Sequence, residues 1–283
     1  LKNYNFSNLH LLDKDENRLT EVSRQINISF DQKKVNKVNY YCSDICDLDI
    51  TKIILNKNIT HYLNFAAVKH VRSEENLISI NYMIKTNAIN FIKSNNLKKN
   101  SLKKVFSIST DKSANPSSIL GISKKLMEGK LYDFKKNNKN IFVSSVRFAN
   151  VSFSNGSILK YAIDRINKKI IFGIPNNIAR YFITHSEASS LCFKSLLSQN
   201  DGCIIIPSYK ILGSLMNIKS LCEKILKHKG YKPNYKSKKF DSKRKTFPII
   251  LNKQLNHGQK KFEELHEKNE IILKIKKNNN LYK

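Results

Sequence analysis

An aspartate and a lysine stand side by side at Asp111-Lys112, directly after Ser109-Thr110 and an apolar run that ends at Ile108. A carboxyl beside an amine offers a proton donor and a proton acceptor within reach of one substrate, which is what general acid–base chemistry needs. A second lysine, Lys124, follows about three helical turns later, beyond a turn at Asn115-Pro116 and inside Gly121-Ile122-Ser123-Lys124. Leu102 to Ile108 reads as a short strand, and Leu120 to Leu131 has helical spacing, so the pair lies where a strand gives way to a helix. Open α/β sheets bind their ligands at that edge. A solvated charged loop would have the same composition, so the surroundings decide.

Other positions along the chain carry compatible chemistry, each with a plainer alternative. Asp13 closes the run Leu9-His10-Leu11-Leu12 and suits either the hydroxyls of a ribose or the N-cap of a helix. Asp44 suits an adenine edge or an ordinary turn. In Ala66-Ala67-Val68-Lys69-His70-Val71 the two alanines admit a closely approaching dinucleotide backbone, and Lys69 reaches for a sugar or phosphate. Strand-to-helix packing with a solvated lysine explains the same residues, and His70 reads as structural. Asn150 ends Arg147-Phe148-Ala149-Asn150, and Asn155-Gly156-Ser157 opens a helix whose amides and hydroxyls suit a diphosphate or a simple cap. Arg180 has the fork that binds phosphate bidentately, although surface arginines are commoner.

The elements that must position these groups alternate regularly. Strands are expected at Leu9–Leu12, Val38–Cys42, His61–Phe65, Val105–Ile108 and Phe142–Val146. A helix-like segment from Glu16 to Ile26 and a long helical pattern through Ile78, Met83, Ile84 and Ile92 separate them. That rhythm predicts an α/β fold, a Rossmann-like doubly wound parallel sheet with helices on both faces. Three regions follow: 1–150 as the Rossmann-like domain, 151–233 as a smaller substrate lobe, and 234–283 as a basic, partly disordered tail. Such folds open on a strand and a glycine-rich turn. Here no such turn occurs, and the first strand, with Asp13 at its end, behaves like the second of the fold, so the chain is expected to be N-terminally incomplete.

Composition narrows the partners. The formal net charge of +29 over 283 residues invites phosphate, yet the lysines are scattered among asparagines, so no nucleic-acid partner is expected. No apolar run is long enough to span a membrane. The five cysteines form no disulfide or zinc framework, which fits a reducing cytoplasm and no metal.

Taken together and in order, these motifs resemble the extended short-chain dehydrogenase/reductase superfamily, and within it the nucleotide-sugar 4,6-dehydratases of polysaccharide biosynthesis. The likeness is nearest to the UDP-N-acetylglucosamine 4,6-dehydratase type and runs from about Leu9 to about Pro233, with a weaker echo at Leu255–Lys260 leading to Glu263-Glu264. The resemblance implies NAD or NADP as cofactor, a nucleotide-sugar substrate and a homo-oligomer. It implies Asp111 as acid, Lys112 as base, Thr110 near the C4 oxygen and Lys124 at the nicotinamide ribose. It also implies Asp13, Asp44, Ala66 and Ala67 as cofactor contacts, and Lys69, Asn150, Ser157 and Arg180 as substrate contacts. A 4-epimerase or reductase on the same fold, or a truncated non-catalytic relative, are the rival implications. Leu120 stands where many relatives carry tyrosine, and Asn256 and Gln259 where they carry arginine and glutamate. Without a glycine-rich turn the 283-residue chain is expected to bind NAD poorly or not at all, which calorimetric titration checks.

Overall fold

The computed structural model describes residues 5–89, 101–197, 201–252, 258–273 and 281–282. The order is β1 (Leu9–Asp13), α1 (Glu16–Ser29), α2 (Gln32–Val35), β2 (Val38–Cys42), α3 (Leu48–Leu55), β3 (His61–Asn64), α4 (Leu77–Ile84), β4 (Lys104–Ile108), α5 (Ile119–Asn137) and β5 (Phe142–Val146). Then come β6 (Asn150–Val151), α6 (Ile158–Asn167), β7 (Phe172–Pro175), β8 (Ala179–Arg180), β9 (Phe182–Ile183), α7 (His185–Leu197) and β10 (Cys203–Pro207). The chain continues through α8 (Tyr209–Leu212), β11 (Met216–Asn217), α9 (Ile218–His228), β12 (Lys232–Asn234), β13 (Thr246–Asn252) and β14 (Leu281–Tyr282). Short polar residues start the main helices. Asp15, Asp47, Asn76, Ser118, Ser157 and Asn217 each accept a backbone N–H of the first turn.

The main sheet has the order β14-β10-β5-β4-β3, in which β10, β5, β4 and β3 run parallel. The register pairs Asn64 with Ser107 and Ile108 with Val146, so the carboxyl ends of β3, β4 and β5 lie side by side. β1 and β2 form a separate parallel pair, and β3 is the edge of the larger sheet. The expected Rossmann-like sheet is present, in two pieces among the described residues.

Alternation along β4 explains why both faces are covered. Val105 joins Ala88, Leu102, Met127, Leu131, Phe134, Ile141 and Val143 beneath α5, while Phe106 packs with Val146, Leu191, Cys192 and Ile205 beneath α7. On α5 the buried positions Leu120, Lys124, Met127, Leu131 and Phe134 recur at three- and four-residue steps. Fully burying each large apolar side chain contributes about 1.5–3 kcal/mol. Lys124 is therefore carried on the core face of a helix whose apolar neighbours fix its direction.

A third core joins α6, β7, α9 and β13 through Ala162, Ile166, Phe172, Ile174, Cys222, Leu226, Phe247 and Ile249. β13 lies in the stretch expected to be a basic, partly disordered tail. It pairs in parallel with both β7 and β12, and Phe247 sits 5.8 Å from Phe172, ring to ring. The apolar run Phe247–Leu251 forms that strand despite the lysines that dominate the surrounding composition. Ile92 and Asn256 lie outside the described residues. No described helix is long and apolar enough to cross a membrane.

Candidate functional site

β4 ends at Ile108, and the chain then turns through one short 3₁₀ turn at Asp111–Ser113. Thr110 caps that turn, its Oγ1 lying 3.5 Å from the Lys112 amide. The Asp111 carboxyl is buried, and its Oδ1 accepts both the Thr110 hydroxyl and the Lys112 ammonium at 2.9 Å. Lys112 keeps 28% of its side chain exposed, so the amine sits at the mouth and the acid beneath it. The Asp111 amide donates to Phe148 O at 3.3 Å, tying the turn to the loop that leaves β5. Thr110, Asp111 and Lys112 thus form one hydrogen-bonded unit, one proton shift away from a neutral acid beside a neutral amine.

Lys124 approaches from α5 and donates to Ile108 O at 2.9 Å. Burial lowers its ammonium to about 8, against the opposing pull of Glu128. Its folded value lies below the ordinary 10.5, so the fold carries the cost of a buried charge below about pH 8 and sheds it as pH rises toward 10.5. Stability is expected to gain across that window in the wild type, and the gain should shrink in Lys124→Met. Urea midpoints of the two proteins at several pH values check this.

α5 also fixes the turn by contact. A Cβ on Gly121 would stand 2.3 Å from Lys112 O and 3.1 Å from Pro116 Cβ, so only glycine lets the helix lie against the loop backbone. Gly121→Ala is expected to cost about 1–3 kcal/mol by overpacking and to displace the Lys112 carbonyl. A thermal melt checks the first effect, and lost turnover in the folded variant checks the second. Glu74 accepts the amides of Ile119 and Leu120 at 3.1 and 3.2 Å, completing the helix start. Leu120 itself is buried and offers no proton.

Beneath the turn lies a buried ionic network. Ser109 and Ser113 both donate to Glu128 Oε1, at 2.5 and 2.7 Å. Arg147, 1% exposed in its side chain, grips Glu128 at 2.8 and 2.7 Å and Glu270 at 2.7 and 2.7 Å. Burial opposes the Arg147 charge, but the hydrogen bonds it donates to Glu128 and Glu270 outweigh it and hold the guanidinium ionised. Asn87, fully buried, accepts Val68 N–H at 2.9 Å and donates to Val68 O and Ser123 Oγ, anchoring the loop after β3 to α5. Glu128, Glu74 and Asn87 were not among the sequence candidates. An isolated acid or amide in a helix carries no periodic signal that distinguishes a buried brace from a solvated side chain.

The remaining candidates divide. Asn64 accepts Ala66 N–H at 3.0 Å, leaving Ala66 and exposed Ala67 at the carboxyl edge of β3. Lys69 is exposed next to them, and partial desolvation followed by the Arg18 charge lowers its ammonium. The His70 ring lies against Gly156, where φ is +75° and a Cβ would meet Cε1 at 2.0 Å. That contact brings the loop after β3 to the turn before α6. Ser157 caps α6 through Lys160 N–H at 3.3 Å, and Asn150 donates to Tyr181 O at 3.4 Å. Asp13 accepts Asp15 N–H at 3.0 Å and is exposed; the α1 cap is Asp15. Asp44 accepts Cys46 N–H at 2.8 Å and the Tyr82 hydroxyl, which in turn accepts Lys14 at 2.8 Å. Arg180 is buried, and its fork is directed to Ala179 O, Lys261 O and Lys260 O at 2.8, 2.9 and 2.9 Å.

Comparison with known proteins places this geometry. A family model described as "Polysaccharide biosynthesis protein" matches residues 1–282. The capsular polysaccharide biosynthesis protein CapD of Staphylococcus aureus is 27% identical over 173 residues, 60% of this chain and 28% of that protein. The membrane protein MJ1061 of Methanocaldococcus jannaschii is 29% identical over 286 residues, 96% of this chain and 76% of its own. A UDP-N-acetylglucosamine 4,6-dehydratase (inverting) of Campylobacter jejuni is 27% identical over 217 residues, 73% of this chain and 60% of its own. The chain therefore spans 28% of the Staphylococcus relative and 60% of the Campylobacter one. Among solved structures, Pen from Bacillus thuringiensis has a TM-score of 0.75 at 18% identity, covering 92% of this chain and 73% of that one. DesIV, a dTDP-glucose 4,6-dehydratase from Streptomyces venezuelae solved with NAD and TYD bound, has a TM-score of 0.68 at 11% identity, covering 91% and 88%. Both likenesses bear on the fold.

Proposed function

We propose that this chain, which belongs to the polysaccharide biosynthesis protein family, dehydrates a nucleotide-activated N-acetylhexosamine, UDP-N-acetylglucosamine, to a 4-keto-6-deoxy sugar with NAD or NADP as cofactor. The observation that carries this is the Thr110-Asp111-Lys112 unit: a buried carboxyl and a half-open amine 2.9 Å apart at the carboxyl edge of a parallel sheet. Chemistry confined to C4 has no use for an adjacent acid and base. Elimination across C5 and C6 requires both.

Asp13, Ala66, Ala67 and Lys124 are proposed to hold the two riboses of a dinucleotide. Asp13 is exposed at the end of β1, Ala66 and Ala67 leave the backbone after β3 open, and the Lys124 amine lies beneath the edge of β4. Asp44 is engaged by Tyr82 and Cys46, so its place is to brace the loop beside an adenine. A glycine-rich turn to hold the pyrophosphate is not found among the described residues. Bound NAD or NADP would take a hydride from C4, which acidifies the neighbouring C5 proton, and return it to C6 once water has left, with the C5 proton restored from Lys112. Lys112 as free amine takes the C5 proton; Asp111 as acid protonates the C6 oxygen, which leaves as water. The internal shift of one proton from Lys112 to Asp111 prepares both groups at once, without uptake from solvent. Thr110 donates toward the C4 oxygen as negative charge gathers there. Lys69, Asn150, Ser157 and Arg180 are proposed to bind the nucleotide sugar.

Proton NMR of UDP-N-acetylglucosamine incubated with the protein and NAD tests the proposal. A new C6 methyl doublet is expected. A C4-epimerised sugar with its C6 hydroxyl intact would instead establish an epimerase, and unchanged substrate with bound NAD would establish a non-catalytic relative.

A further inference from the structure

The segment 258–270 runs beside the turn that carries Asp111 and Lys112 and is fastened at both ends. At one end Leu265 is buried in the core of Phe106 and Val146, and Arg147 Nη1 and Nη2 each donate to Glu270 at 2.7 Å. At the other, Ser117 Oγ donates to Gly258 O at 2.9 Å, and a Cβ on Gly258 would stand 2.5 Å from Ser117 O. The Arg180 fork donates to Lys260 O and Lys261 O, with Glu263 Oε1 3.5 Å away. Between these anchors, three side chains of the segment meet the residues that follow Asp111–Ser113. Lys260 Nζ donates to Ala114 O at 3.1 Å, Glu267 Oε1 accepts the Asn115 N–H at 3.2 Å, and Glu264 Oε2 accepts Asn115 Nδ2 at 2.8 Å.

Asn115 is the residue where such contacts matter most. Its φ is +46°, in the left-handed region that a residue with a Cβ enters at a cost. It follows Ala114, which is fully buried and whose N–H closes the turn on Asp111 O at 3.2 Å. Any relaxation at Asn115 is therefore one residue from the backbone of the acid. We infer that Glu267 and Glu264 are positioning residues, which hold the Asp111–Ser113 turn in place by gripping Asn115. The use made of the turn rests on the proposed dehydration; the grip on Asn115 does not. Glu267 holds backbone and is itself fixed. Its side chain is 16% exposed, Lys125 Nζ lies 2.8 Å from its Oε1, and its N–H donates to Glu270 Oε2 at 2.9 Å. The acceptor is thus tied to the Arg147 network that also holds Ser109 and Ser113 through Glu128. Glu264 is exposed and holds the Asn115 side chain alone. Hydrogen bonds to a carboxylate are stronger than neutral ones, and misplacing reacting groups by about 1 Å costs about 10²-fold in rate.

The test contrasts two variants of Glu267. Glu267→Met removes the acceptor, whereas Glu267→Gln keeps an oxygen for the Asn115 N–H, and both lose the charge beside Lys125. In turnover of UDP-N-acetylglucosamine, Glu267→Met should lower kcat by about 10- to 10²-fold with KM little changed, and Glu267→Gln should recover most of that loss. Equal losses in the two would assign the effect to the Lys125 pair and overturn the inference, as would wild-type kcat in folded Glu267→Met. If Glu267→Met does not fold, the contact between Asn115 and Glu264 gives the second reading. Asn115→Gly accepts the positive φ without strain and, like Glu264→Ala, deletes that contact. Each should lower kcat, and the double variant should be no slower than the slower single one. Losses that multiply, or no loss, would overturn the grip through Asn115. Hydrogen exchange of the Asn115 amide reads the grip without turnover, in protein labelled with ¹⁵N-asparagine, the signal assigned by its absence in Asn115→Gly. Exchange should quicken by about tenfold or more in Glu267→Met and stay slow in Glu267→Gln; equal rates in the two would overturn the inference. Lack of any 4-keto-6-deoxy product from the wild type would overturn the proposed dehydration instead, while the exchange rates still decide the grip on Asn115.

Discussion

Lys112→Met should lower turnover of UDP-N-acetylglucosamine by about 10²- to 10⁴-fold, the range that a positioned general base supplies. Methionine keeps the length and apolar stem of lysine and removes only the amine, whose Nζ contacts Asp111 Oδ1 and faces solvent. The loss can be followed without the cofactor. A 4-keto-6-deoxy product has an acidic C5 proton, and a base that removes it in the forward direction also exchanges it for deuterium in heavy water. The wild type should catalyse that exchange and Lys112→Met should not. Asp111→Asn should behave differently: dehydration falls by a similar factor because the C6 oxygen lacks its acid, while C5 exchange persists because the amine is intact. Proton NMR of the C5 signal and of the C6 methyl separates the two roles. Equal exchange in wild type and Lys112→Met would remove Lys112 as the base.

The strands that carry this pair are legible from sequence because their signal is local. Val38–Cys42 and Phe142–Val146 are short stretches rich in valine and aromatic residues, and both ends of each coincide with β2 and β5. Asp111-Lys112 and Lys124 could be singled out because acid, amine and helical spacing are neighbours along the chain. Their convergence is tertiary. It depends on the register Ile108 to Val146 and on Gly121 letting α5 touch the Lys112 carbonyl. The substrate role expected of Arg180 rested on its guanidinium and on the family resemblance. Sequence could not show that carbonyls 80 and 81 residues away hold that fork, or that Glu263 would complete it. β13 was hidden for a related reason: an average over lysine-rich flanks conceals the few apolar residues that pair with β7.

Arg147→Met should destabilise the protein by about 3–5 kcal/mol, the cost of leaving a buried partner charge uncompensated. The five guanidinium donors of Arg147 meet Glu128, Glu270 and Leu265 O, with no bond longer than 3.1 Å. Without them Glu128, 4% exposed, retains only the hydroxyls of Ser109 and Ser113 as donors in the described contacts. Replacing both ions, in Arg147→Met/Glu128→Leu, removes the orphaned charge and should recover much of the loss, because an apolar pair of similar volume carries no desolvation cost. Acid pH offers an independent check. Burial favours the protonated Glu270, yet the Arg147 hydrogen bonds and the Glu267 N–H hold its carboxyl down at about 2. Its contribution is therefore complete above its ordinary 4.5 and is lost as pH falls toward 2. That acid-side loss should be smaller in Arg147→Met, where the main cause of the lowered value is gone. Urea midpoints at neutral and acid pH measure all three effects. A double variant no more stable than the single one would mean that the network braces the Ser109–Ser113 turn through its hydrogen bonds and shape, not through charge compensation at Glu128.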